Sequence, residues 1–558
     1  MERSFRIQIG DAVYEVPQHT TYRQLVDAYA DGSPYPVVLV RLDGDTEELF
    51  KEVTRDGVLT FVTAQSKEGM AAYRRTGLVV MQKAFSDLVR DPSQTIRVLF
   101  TMDQAYYCEV FADDAQVPVS DVFCADLQAR MEEIAAQNLP ITKCNTSIRE
   151  ADAAFAAHGL KDRRRLFRYR TSTRVNLYTL GDYTTYLYGR SMDRTGLLEE
   201  FEVLPQAPEG GFFLNFPSMY EPEAVDEFTF QPKLFALQHQ DSVRAAMLDL
   251  ATVGALNDRI ADGSMRDAVL SEEAQMELRI GALCDRITRT PDKKFVLIAG
   301  PSSSGKTTFS HRLSIQMLSR GLKPHPIAMD DFFIDRDRMV RQPDGSLDFE
   351  SIDAVDVKLF NETMLRLLDG ETVEMPTFDF REGRQKFTGK TLTMQEGDIL
   401  VIEGIHGLNP LLSASLPEES KFRIYISALS PLKMDEHTCL STRDMRLMRR
   451  IVRDARTRGS SAARTLGMWD SVRRGEEQHI FPFQENADVM FNSSLIYELP
   501  VLKQYVEPAL FAIPKEDPSY PEARRLLKIL SHSLTYPSEG IAAHSILREF
   551  IGGSCFNV

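Results

Sequence analysis

Ala299–Ser310 reads AGPSSSGKTTFS, and this stretch decides how the C-terminal half of the chain folds. Gly300, four residues, then Gly305-Lys306-Thr307 make the spacing G-x-x-x-x-G-K-[ST], a cradle in which backbone N–H groups hold phosphate. Gly300 and Gly305 permit backbone angles and close approaches that a Cβ would prevent. The N–H groups of Ser302, Ser303 and Ser304, and those opening the next helix at Lys306, Thr307 and Thr308, then face the phosphates. Lys306 reaches the terminal phosphates as a point charge, and the Thr307 hydroxyl suits Mg²⁺. The flanks agree. KFVLIAG before the motif is a near-continuous apolar run, as a buried parallel strand requires. TTFSHRLSIQMLSRG after it is a helix closed by Gly321. The cradle alone implies a nucleoside triphosphate and does not separate a kinase from a motor or a GTPase.

Further along, DVKLFNETMLRLLDG reads as a helix, and GDILVIEGIHGL and KFRIYIS as two more buried strands. Strands alternating with helices predict a doubly wound α/β domain with a parallel sheet. Asp330 and Asp331 fall where its second strand should end, and strand ends are where ligands sit in such sheets. A carboxylate there can take a proton from a hydroxyl or bind Mg²⁺; it can also merely cap a helix. Glu403 follows the buried run ILVI in the same way. Arg446, Arg449, Arg450, Arg453, Arg456 and Arg458 crowd one helix-like segment. That is either a solvated basic face or a lid turned toward phosphates, and the acidity of the rest of the chain favours the lid.

The net charge of −16 over 558 residues argues against a general nucleic-acid or membrane binder. The cysteines, Cys108, Cys124, Cys144, Cys284, Cys439 and Cys555, lie far apart with no C-x-x-C spacing, which predicts reduced thiols and a cytoplasmic protein. Such a length predicts several domains. Residues 1–66 carry two short strands (SFRIQIG, AVYEVP), a helix capped by Thr20 or Thr21, and two more strands, a small β-grasp pattern. Residues 67–205 mix helices and strands as an α+β domain. Residues 206–290 read as a helical linker, 291–495 as the phosphate-cradle domain, and 496–558 as a helical extension for packing or for a subunit interface.

IAGPSSSGKTTF, MDDFF, FESIDAVD, MPTFDF, VIEGIHGL and RRIVRDARTRG occur in the order found in the uridine kinase and phosphoribulokinase group of P-loop kinases, which Phe295–Leu495 resembles. The resemblance implies a P-loop NTPase fold and phosphorylation of a uridine- or cytidine-type nucleoside 5′-hydroxyl, with ATP and Mg²⁺ as cofactors. Asp330 would take the proton from the sugar hydroxyl. Glu403, with Thr307 and Asp330, would support Mg²⁺. Arg450, Arg453 and Arg458 would close over the phosphates, and Glu350 and Asp353 fall in the segment that holds the sugar. Phe378 stands where the family usually has a base-pocket tyrosine, and Gly383 where a histidine usually contacts the base. Arg381, Arg384 and Lys386 make that loop basic, so a sugar-phosphate acceptor stays open beside a nucleoside.

The first residues resemble the TGS domain at the start of threonyl-tRNA synthetases, and residues 67–205 resemble their editing domain, best in GDYTTYLYGRSMDRTGLLEEFEVL. The resemblance implies a site for a tRNA end or a nucleotide, or a scaffold for a homo-oligomer, and leaves open an RNA-binding regulator with an ATPase switch. The editing chemistry itself uses histidines four apart on a helix and a later cysteine and histidine. Tyr73, Gly77, Leu187 and Ser191 occupy those places here, so no editing activity is expected.

Overall fold

The computed structural model describes residues 4–30, 32–205, 207–341 and 347–557, and it divides into two compact units. The first comprises Met1–Phe230 with Asp249–Asn257 and Leu432–Cys439; the second comprises Gln231–Leu248, Asp258–Pro431 and Leu440–Val558. Among the described residues no helix is long and apolar enough to cross a membrane.

The first unit opens with the expected hairpin, Ser4–Ile9 against Ala12–Pro17, followed by a helix Tyr22–Tyr29. Thr21 rather than Thr20 caps that helix, in a box in which Gln24 returns a bond to the Thr21 N–H. Val37–Leu42 and Gly57–Thr63 complete the sheet, and Asp45–Glu47 adds a short edge strand the sequence did not suggest. Phe5, Ile7, Leu25, Val40 and Leu59 form the core beneath it. A separate core, with Val80, Val98, Leu127, Leu180 and Phe216 among its members, gathers around the helix Lys67–Val89.

Two domain boundaries differ from expectation. A second sheet, in which Gln94–Met102 pairs with Ala105–Ala112, continues past residue 205, because Phe212–Asn215 pairs with both Glu202–Leu204 and Ala105–Ala112. The segment Leu432–Cys439, placed by sequence within 291–495, belongs to the first unit. The reason is a buried ion pair: Arg163 Nε donates to Asp435 Oδ2 at 2.7 Å, and the Tyr188 hydroxyl donates to the same oxygen at 2.8 Å. Both Arg163 and Asp435 are fully buried, so removing one partner would leave an uncompensated charge.

The second unit is built on a parallel sheet ordered Lys323–Ala328, Asp398–Gly404, Phe295–Ala299, Lys421–Ser427, Val489–Asn492. All five residues of Phe295–Ala299 are buried, as the unbroken apolar run demands of a central strand. Pro324 and Pro326 sit in Lys323–Ala328, which is at the sheet edge, where a missing N–H costs no ladder bond. The helix Val357–Leu368, capped by Asp356, puts Phe360, Met364 and Leu367 into the core with Leu297, Leu400 and Ile402. A two-stranded ribbon, Thr372–Asp379 with Arg384–Thr393, stands apart from the main sheet. The doubly wound α/β reading is thus met, with smaller sheet domains ahead of it.

Candidate functional site

The carboxyl ends of the parallel strands converge on the glycine loop. A Cβ at Gly300 would lie 1.9 Å from the Ile426 carbonyl oxygen, so only glycine lets the strand turn there. Ser303 and Gly305 both adopt positive φ, 61° and 83°, which curls the loop before the helix Lys306–Leu318. No side chain of the N-cap residue, Gly305, caps that helix, which leaves its first N–H groups to other partners. Lys306 Nζ donates to the carbonyls of Gly300 at 2.9 Å and Pro301 at 3.3 Å. The Thr307 hydroxyl donates to Glu403 Oε1 at 3.1 Å. The hydroxyls of Ser303, Ser304 and Thr308 are buried with no hydrogen-bond partner, and all three lie within the cradle.

Three carboxylates lie in the field of Lys306, and a fourth braces the loop. Asp330 lies in the turn Met329–Phe332 that follows the edge strand Lys323–Ala328. Burial raises its pKa and neighbouring Asp331 adds to that, while Lys306 and Arg458 pull it down. Its neighbour Asp331 points elsewhere, accepting the Phe378 N–H at 3.2 Å. Glu403 is pushed up to about 7 by burial, reinforced by Asp330 and Glu549 and opposed by Lys306. Glu350 is also pushed up to about 7, by burial first and then by Glu476 and Asp330, with Arg450 and Lys306 opposing. One Glu350 oxygen is buried with no hydrogen-bond partner. The fourth, Glu476, accepts the Ser302 N–H at 2.9 Å and is paired with Arg446.

These oxygens suit a magnesium ion. Mg²⁺ takes one or two carboxylates and draws its other ligands from phosphate and water. Thr307 and Glu403, in contact with each other beside Asp330, fit that pattern. Among the described residues no three His, Cys, Asp or Glu side chains form a ready-made metal cage.

The arginine helix, Thr442–Thr457, is not one uniform lid. Arg446 Nε donates to the Ser302 carbonyl at 2.9 Å, and Arg449 donates to Glu498 at 2.7 Å and to the Ser303 carbonyl at 3.3 Å. Both are buried and act as fixed supports of the loop. Arg450 donates to the Ser302 hydroxyl at 2.9 Å. Arg450, Arg453 and Arg458 all approach Asp454, at 3.3, 3.0 and 3.6 Å. Arg456 binds the backbone carbonyls of Glu549 and Phe550 instead.

On the acceptor side the residues separate. Glu350 joins the cluster, its Cβ side packed against Gly475, where an added Cβ would lie 2.4 Å away. Asp353 does not join it; it sits exposed in the turn Ile352–Ala354. Phe378 is buried against Phe333 and Phe380, and Arg384 is exposed at the start of its strand. Gly383 has φ of 71°, and a Cβ there would meet Arg336 Cδ at 2.3 Å, so a histidine in this turn would be strained and would displace the Arg336 side chain. Sequence reasoning passed over His406, Glu476 and Glu549. His406 is buried, neither ring nitrogen makes a hydrogen bond, and burial together with nearby His479 lowers its pKa to about 4. Its place three residues beyond Glu403, in EGIH, was the available signal; nothing in the sequence near Glu549 marked it.

In the first unit the editing-like positions are filled rather than open. The Tyr73 hydroxyl donates to the Glu200 carbonyl at 2.9 Å and accepts the Glu200 N–H at 2.7 Å. A Cβ at Gly77 would lie 2.3 Å from the Phe216 ring, so that ring takes the space a side chain would need. Leu187 and Ser191 are buried. A cavity of about 560 Å³ lies elsewhere in this unit, lined by Arg23, Phe50, Lys143, Asp193 and Arg194 among others. Its cations are already paired, Arg23 and Arg194 with Asp193 and Lys143 with Glu48.

Residues 295–497 match the model of the Phosphoribulokinase / Uridine kinase family. The chain is 26% identical over 194 residues to a uridine kinase of Macrococcus caseolyticus, a match covering 35% of this chain and 84% of that protein. It is 26% identical over 194 residues to a threonine–tRNA ligase of Halalkalibacterium halodurans, covering 35% of this chain and only 30% of the ligase. The ligase likeness covers the N-terminal part, consistent with a fusion. Among solved structures, one titled as a possible uridine kinase from Bacillus stearothermophilus aligns at 19% identity, covering 39% of this chain and 100% of that one, with a TM-score of 0.26.

Proposed function

We propose that the second unit is a phosphotransferase that moves the γ-phosphoryl group of ATP to a hydroxyl of a nucleoside of the uridine or cytidine type. The observation that carries this reading is the arrangement around Lys306: a glycine loop at a strand end, Thr307 on Glu403, and the Asp330 carboxylate in the field of the lysine. Asp330, raised in pKa by burial, is suited to accept the proton of the attacking hydroxyl as the oxygen–phosphorus bond forms. The bond from the γ-phosphorus to the bridging oxygen breaks, and ADP leaves. Lys306, Arg450 and Arg453 then offset charge on the transferring group, and Arg458 approaches from the end of its helix. Magnesium, held through Thr307, Glu403 and Asp330, would neutralise phosphate charge. Glu350 would hold a sugar hydroxyl.

A sugar phosphate is the competing acceptor, suggested by the basic loop at residues 381–386. Lys386 there is already paired with Asp379 and Glu382, which favours the uncharged nucleoside. For the first unit we propose a binding or scaffolding role, with tRNA or a nucleotide as ligand and no hydrolysis of aminoacyl-tRNA. The decisive experiment is a screen of nucleosides and sugar phosphates with Mg²⁺ and ATP, reading ADP and the phosphorylated product. A nucleoside 5′-phosphate supports the reading, and exclusive turnover of a sugar phosphate replaces the acceptor. Loss of all turnover in Lys306→Ala ties it to the cradle; retained turnover refutes the assignment.

A further inference from the structure

The N–H groups that open the cradle helix should be free for phosphate, and one of them is not. Glu549 Oε2 accepts the Thr308 N–H at 3.0 Å. Thr308 lies in the first turn of Lys306–Leu318, where the helix presents unsatisfied donors and partial positive charge to an anion. A carboxylate is a close chemical substitute for a phosphate oxygen pair at such a position. Glu549 is largely buried, so this is a made contact and not a passing surface one.

The segment carrying Glu549 is seated on the cradle at several points. A Cβ at Gly305 would lie 2.5 Å from Ile546 Cγ2, so Ile546 rests directly on the loop glycine. Arg449 sits 5.0 Å from the Phe550 ring centroid, and Arg456 donates to the Glu549 carbonyl at 2.7 Å and the Phe550 carbonyl at 3.1 Å. Ser545 meets the Tyr497 hydroxyl at 3.0 Å, and the Phe556 ring stacks on His311 of the cradle helix with centroids 5.4 Å apart. Two arginines of the helix expected to cover the phosphates therefore hold this segment. Glu549 also lies in the field of Glu403, so two acids share the place where magnesium and phosphate would bring charge of both signs.

We propose that Ser545–Phe556 is a self-occluding strap, in which the Glu549 carboxylate occupies a phosphate-oxygen position of the cradle and must be displaced by the incoming nucleotide. The inference rests on the second unit binding a nucleoside triphosphate. Binding then competes with the closed strap, and apparent affinity falls by the fraction of molecules that are open. The strap makes the empty site insensitive to small anions and couples nucleotide binding to release of the C-terminal segment.

The test uses the full chain with ADP and Mg²⁺, which occupy the cradle without turnover. Glu549→Gln keeps a hydrogen-bond acceptor and removes the charge, and it should tighten ADP binding about two- to fivefold by calorimetry, the size of a charge effect at a helix N-terminus. Arg456→Ala, which loosens the strap without touching the cradle, should tighten binding in the same direction. Hydrogen exchange of residues 545–557 should quicken when ADP is added to the wild type. Unchanged or weaker ADP binding in Glu549→Gln, or unchanged exchange at saturation, overturns the strap while leaving nucleotide binding intact. Absence of Lys306-dependent ADP binding in wild type and both variants overturns the kinase reading and the strap with it.

Discussion

Two adjacent carboxylates, Asp330 and Asp331, have different surroundings, and on the proposed function their substitution should pull apart activity and stability. Asp330 lies in the fields of Lys306 and Arg458, with its pKa raised by desolvation among the groups packed around it. Asp330→Asn should keep the fold and the nucleotide but cost the chemical step about a hundredfold to ten-thousandfold, the range of a lost general base. That corresponds to about 3–5 kcal/mol of barrier. Because the folded state resists ionising Asp330, wild-type stability declines as pH rises above the unfolded carboxylate range, and the Asn variant escapes that decline. At pH 8 it should melt no lower than the wild type. Asp331→Ala instead removes the acceptor of the Phe378 N–H and orphans a donor next to a buried ring. An orphaned donor costs about 1–3 kcal/mol. For a unit of this size each kcal/mol is worth about 2–4 °C of Tm, so a fall of several degrees is expected, with turnover per folded molecule within about tenfold of wild type. Single-turnover kinetics and calorimetric melting on both variants decide it. If Asp331→Ala abolished the chemical step while Asp330→Asn retained it, the assignment of the base would be wrong by one residue.

Glu476 bonds the Ser302 N–H and pairs with Arg446, both buried, so Glu476→Ala should destabilise by about 3–5 kcal/mol through the unpaired arginine; urea unfolding measures it, and a loss below about 1 kcal/mol would mean the pair does not hold the loop. Glu350 titrates near 7 in the folded chain against an ordinary 4.5, so between those values the unfolded state ionises first and stability falls as pH rises, by up to about 3 kcal/mol. Glu350→Gln should therefore flatten the wild-type loss of stability between pH 5 and pH 8, and identical slopes in denaturant titrations would contradict the burial argument. Threonyl-tRNA-type substrates bearing the wrong amino acid should be deacylated no faster than in buffer, since Tyr73 and Phe216 fill the relevant space; hydrolysis that survives Lys306→Ala would show a site in the first unit that this reading lacks.

The sequence by itself determined what depends on local chemistry. A glycine at 300 facing a carbonyl, a left-handed glycine at 305, a five-residue apolar strand and a cap such as Thr21 or Asp356 are each written in a few neighbouring residues. The same locality made the likeness to P-loop kinases legible, because its motifs are short and lie in order. What only the tertiary structure decided is how residues far apart share space and charge. The residue types around Asp330 and Asp331 do not distinguish them, and only the motif resemblance pointed to Asp330; in the structure the ribbon brings the Phe378 N–H to Asp331. Six arginines on one helix look alike in sequence, yet their partners, Glu476, Glu498, Asp454 and two backbone carbonyls, assign them different work. Leu432–Cys439 joins the first unit because Asp435 neutralises a buried Arg163 more than 250 positions away, with a separation of 272. Glu549 reaches Thr308 across a separation of 241 residues. Periodicity and spacing report the chain's neighbours along its length, whereas a buried charge is settled by whichever group the fold brings within hydrogen-bond reach.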